Sequence, residues 1–103
     1  MRDQFLHKAN ILAGRVELRN GNVAGAKQHL LAAGRVNGGV TLTSFGPNMS
    51  LAKELLEKGE RDIVVQYLDL CARFWTSDYG QLAKWKSEIR AGRIPNFGAN
   101  LIY

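Results

Sequence analysis

The chain has 103 residues, 46% hydrophobic and 22% charged, the size and balance of one globular domain and not of a disordered or fibrous chain. Fourteen Lys and Arg against nine Asp and Glu leave a net charge of +5, which favours acidic partners such as peptide carboxylates, nucleic acid or anionic lipid. Cys71 is the lone cysteine and excludes an intramolecular disulfide, no run approaches the ~18 apolar residues of a membrane span, and the N-terminus lacks a signal-peptide pattern, so a cytoplasmic protein is expected.

Apolar residues recur at helical spacing in nearly every segment, and no run alternates long enough to make a strand, which predicts an all-α fold. A first helix is expected over residues 3–19, with Phe5, Leu6, Ala9, Leu12, Ala13 and Val16 as its apolar stripe. "NGN" ends it, and Asn22 can cap a second helix over residues 23–33. The glycine-rich "GRVNGGVTLTSFG" then reads as a loop in which "VTLT" is extended connection. A third helix is expected over residues 47–58 and a fourth over 60–75, the latter striped by Ile63, Val64, Tyr67, Leu68, Cys71, Phe74 and Trp75. "TSD" offers a cap for a fifth helix over residues 79–91, which carries Leu82, Trp85 and Ile89. The remaining tail is apolar at Phe97, Leu101, Ile102 and Tyr103, and is expected to dock on this chain or on another copy.

A shift of 38 residues lays one predicted helix pair over the other. It pairs Gly21 with Gly59, Leu18 with Leu56, Ala26 with Val64, His29 with Tyr67, Leu30 with Leu68, Ala33 with Cys71 and Arg35 with Arg73. With Gly14 in the first helix, a glycine turn at Gly21 and small residues at Ala26 and Ala33, this unit resembles the tetratricopeptide repeat. The second unit resembles it through Leu51, Ala52, Gly59, Val64, Leu68 and Cys71, while Asn10 and Asn48 stand where that family often has tryptophan. "SFGPNMSLAKELLEKGERD", "YLDLCARFW" and "EIRAGRIPNF" also resemble a group of uncharacterised bacterial proteins described as tetratricopeptide-like.

The resemblance implies a five-helix right-handed superhelix in one domain: hairpins over about 3–34 and 47–75, a loop over 35–46, a capping helix over 79–91 and a tail over 92–103. It also implies a non-catalytic protein-interaction module whose ligand lies on a concave face. Carrying the lining over position by position gives Lys8, Arg15, Arg19 and Lys53, all basic and suited to an acidic peptide or a C-terminal carboxylate. Two hairpins are fewer than an array usually needs, so a homodimer through the capping helix and tail is expected.

Other readings compete for the same residues. Trp85 between Lys84 and Lys86, with Arg90 and Arg93 following, could stack on a nucleotide while cations meet phosphate, although its step with Leu82 and Ile89 suits a core residue. No catalytic set, metal set or cofactor motif is expected, because His7 and His29 lie on different helices without a spaced acid and Cys71 lies on a buried stripe. "SFGPNMS" is explained as a helix start, with an anion held at its amides as the functional alternative.

Overall fold

The structure, a computed structural model, describes residues 2–102, and every regular element among them is helical. The order is α1 (Arg2–Arg19), α2 (Val23–Gly34), α3 (Val40–Phe45), α4 (Ser50–Glu57), α5 (Arg61–Cys71) and α6 (Gln81–Arg90), followed by a 3-10 turn at Gly98–Leu101. The molecule measures 33 × 31 × 19 Å, about two helix diameters thick.

Two hairpins form where glycine punctuates the sequence. Gly21 and Gly59 take left-handed φ values of +84° and +82°, which let the chain reverse without a Cβ clash. Asn22 caps α2 by accepting a hydrogen bond from the Gly25 amide at 2.9 Å. The pairs Leu18 and Leu56, Ala26 and Val64, Leu30 and Leu68, and Ala33 and Cys71 are buried throughout. The hairpins are unequal, since α1 has 18 residues and α4 has 8. Helix α2 lies at the centre against α1, α4 and α5, and α6 packs on α5.

Three expectations need correction. "VTLT" is not extended: it opens α3, a six-residue helix begun after Gly39 and closed at Gly46, because Leu42 is driven into the core and tertiary burial overrides the β-branched preference. Helix α5 stops at Cys71, four residues short of Trp75, and the chain then turns so that both Phe74 and Trp75 still reach the core. The third correction concerns α1. Its buried face is His7, Ile11, Gly14 and Leu18, whereas Phe5, Leu6, Ala9, Leu12 and Val16 face outward.

The choice between those two faces has a steric cause. At Gly14 an added Cβ would meet the Leu51 side chain and lie 3.1 Å from the Cβ of His29, so α1 approaches α2 and α4 where it has no side chain. Phe5 and Leu12 on that face would hold the helices apart.

The tail docks on its own chain. Phe97 is buried against Trp85 in an edge-to-face pair at 5.0 Å, and Trp85 packs on Trp75 at 5.5 Å. The N-cap of α6 is Gly80 and not a residue of "TSD", while Asp78, two residues before it, accepts from the first-turn amide of Leu82 at 3.0 Å. Tyr103 of the expected apolar tail lies outside the described residues.

Candidate interaction surface

The segment 46–50 is a polar knot, buried from 46 to 49. Gly46, Pro47, Asn48 and Met49 are all buried, and the amides there are already engaged. The Gly46 amide donates to Leu42 O, Asn48 to His7 Nε2, Met49 to Asn100 O and Ser50 to Asn48 Oδ1. Tyr67 Oη donates to Asn48 O at 2.8 Å, and Asn100 Nδ2 donates to both Phe45 O and Pro47 O. With Pro47 lacking an N–H, these donors are committed to the fold, and the helix begins at Ser50 and not at Pro47. The segment is a structural junction of α1, α3, α4, α5 and the tail.

His7 is the hinge pin of that knot. Its Nδ1–H donates to Ala33 O at 2.9 Å while Nε2 accepts from the Asn48 amide at 2.9 Å, which fixes a neutral ring in one tautomer. Burial holds its pKa below the ordinary histidine value, with the charge of Lys8 acting in the same direction against the Ala33 bond. Burial also pushes the Cys71 thiol and the Tyr67 phenol up, so both are neutral and inert at physiological pH. His29 is half-buried, with Nδ1–H donating to Asn10 Oδ1 at 2.9 Å. Among the described residues no three His, Cys, Asp or Glu side chains gather as metal ligands.

The four expected ligand-surface residues divide into two kinds. Arg15 Nε lies 2.6 Å from Glu54 Oε2, and Arg19 Nη2 lies 3.6 Å from the same oxygen, so α4 supplies one carboxylate to two guanidinium groups. Lys8 is exposed and Lys53 half-buried, and among the described residues no carboxylate reaches ion-pair distance of either. Ile11, which shares a helical face with them by spacing, is in the core, so Lys8, Arg15 and Arg19 form an edge beside the buried face. Glu54 had no signal in the repeat pattern, because its partnership with Arg15 spans 39 residues and two helices.

The nucleotide-stacking alternative loses its aromatic. Trp85 is buried between Trp75 and Phe97, so its ring faces are not presented to a base. Lys86 is paired with Asp69 at 2.9 Å, and Lys84, Arg90 and Arg93 are exposed cations. Among the described residues no helix is long and apolar enough to cross a membrane. Comparison with known proteins adds no relative, since no protein-family profile, curated protein or solved structure matches the chain.

Proposed function

We propose that this chain is a non-catalytic, tetratricopeptide-like interaction module that binds an acidic polypeptide along the basic edge of α1. Lys8, Arg15 and Arg19 are the recognising groups, with Lys53 of α4 as the fourth cation that the repeat resemblance assigns. The observation that carries the reading is the imbalance at this edge: Glu54 is the carboxylate paired with both arginines, which leaves positive charge for a ligand to neutralise. The matched glycine turns and the paired buried positions 38 residues apart support the two-hairpin repeat, while the function rests on the surface and not on the fold. Arg19 is exposed and 3.6 Å from Glu54, a surface contact that contributes at most about 1 kcal/mol, so a ligand carboxylate can take Arg19 at little cost.

Calorimetric titration with a poly-glutamate peptide tests this. The wild type should bind it, more weakly as salt rises, and the R15E/K53E variant should not. Equal binding by both proteins, or none by the wild type, refutes the assignment. A homodimer through α6 and the tail belongs to the same proposal through Ile94 and Ile102, which remain exposed there, and a monomer by light scattering at high micromolar concentration would remove it.

A further inference from the structure

Helix α1 is apolar on two opposite faces, and only one of them is buried. The inner seam, His7, Ile11, Gly14 and Leu18, is matched by an outer seam two residues out of step: Phe5, Ala9, Leu12 and Val16. At about 100° per residue that offset turns the second seam about 200° away from the first. Phe5 is 64% exposed, Leu12 60% and Val16 56%. Spacings of four, three and four residues are those of a coiled-coil seam, and the run from Phe5 to Val16 is about 17 Å long.

From this geometry we infer that the outer seam is the docking site of a single amphipathic helix with acidic flanks, supplied by a partner protein. The inference rests on the acidic-ligand reading above and adds the apolar seam and the helical form of the ligand. Charge decides the occupant. On the helical wheel Arg19, Lys8 and Arg15 lie about 50° to 90° to one side of the seam, all on the edge facing α4, and exposed Arg2 stands at its N-terminal end. An acidic row on the incoming helix meets this edge while its apolar row meets Phe5, Leu12 and Val16.

A second copy is disfavoured by the same charges. Two α1 helices packed antiparallel through this seam would set Lys8 of one near Arg15 of the other, and packed parallel they would leave the basic edge against Leu6 and Ala13. A lipid surface is met by cations on both flanks of an apolar face, whereas Lys8, Arg15 and Arg19 all lie on one flank with Leu6 and Ala13 on the other, and Ala9 at the middle admits the close approach of another helix. The partner helix therefore gains both burial and charge neutralisation at one place.

The test is selection of a display library of helix-biased peptides on the full chain, with counter-selection on the F5S/L12S variant. Both replaced side chains are exposed, so the variant should keep the wild-type circular dichroism and melting temperature. The enriched peptides should carry an apolar seam with Glu or Asp beside it, and should bind F5S/L12S at least about tenfold more weakly by fluorescence anisotropy. Poly-glutamate binding, by contrast, should survive F5S/L12S and be lost in R15E/K53E, so failure of the seam and failure of the acidic-ligand reading are read separately. No enrichment, or enriched peptides without acidic flanks, overturns the inference. Two other results overturn it in favour of another occupant: self-association of the wild type that F5S/L12S abolishes, or Phe5- and Leu12-dependent sedimentation with phosphatidylserine vesicles.

Discussion

Lowering the pH should loosen this protein through one imidazole. His7 can accept from the Asn48 amide only while Nε2 is unprotonated, because Nδ1 already donates to Ala33 O. Protonation would place Nε2–H against the Asn48 N–H, two donors head to head in a buried site. The groups facing the ring offer no compensation: Tyr67, stacked at 6.5 Å, is neutral with its hydroxyl on Asn48 O, Phe74 is apolar, and the charge of Lys8 opposes a second cation. The folded pKa lies below the unfolded value of about 6.5, so the unfolded chain binds the extra proton. Stability from this group is therefore complete above pH 6.5 and is lost as the pH falls through the folded pKa. Between pH 7.5 and 5.5 one such group can remove up to about 1.4 kcal/mol, or roughly 5–10 °C of melting temperature for a domain of this size. Urea unfolding at several pH values, for the wild type and for H7Q, measures it. The glutamine amide can donate and accept without titrating, so the H7Q profile should lack this slope whatever its baseline stability. Parallel profiles for the two proteins would show that His7 is not the titrating group and would refute the argument.

Two substitutions in the buried knot should have larger and pH-independent effects. Gly46 has φ +87° and ψ −175°, a region open essentially to glycine alone, and a Cβ there would sit 2.5 to 2.8 Å from three atoms of the Trp75 ring. Gly46→Ala should therefore cost about 3 kcal/mol or more in urea unfolding, and a wild-type midpoint would contradict the rigid Trp75 contact. Asn100→Ala removes the donor shared by Phe45 O and Pro47 O and should cost about 1–3 kcal/mol. The isosteric Asn100→Asp should melt no higher than Asn100→Ala, because its carboxylate can only accept where two carbonyls need a donor; a wild-type melting temperature would show that the tail does not fasten the knot.

The helices were legible because each is written locally. Asn22, Gly21, Gly59 and Asp78 act at the ends of their own elements, and the 3.6-residue period of Ile63, Val64, Tyr67 and Leu68 needs no distant partner to be read. Where two solutions had the same period, the local signal could not choose. Phe5, Ala9, Leu12 and Val16 make a better hydrophobic seam than His7, Ile11, Gly14 and Leu18, yet the second set is buried, because a glycine that admits Leu51 and a histidine that joins Ala33 to Asn48 are worth more to this packing than two large side chains.

Burial of the leaner seam is also what gives α1 an outward face to use. Had the helix docked through Phe5 and Leu12, the cations at Lys8, Arg15 and Arg19 would border the leaner seam of His7, Ile11, Gly14 and Leu18, with less apolar area to add to charge contacts that salt weakens. Docked through Gly14, the helix sets the same cations beside exposed Phe5, Leu12 and Val16, where an acidic helix can add apolar burial to charge. Glu54 lies 2.6 Å from Arg15 Nε and 3.6 Å from Arg19 Nη2 and belongs to α4, so the basic edge is kept in place by the same helix that Gly14 allows to approach. The sequence carried the cations and the seam as separate patterns on one helix, and the packing at a single glycine is what turns them to the same side.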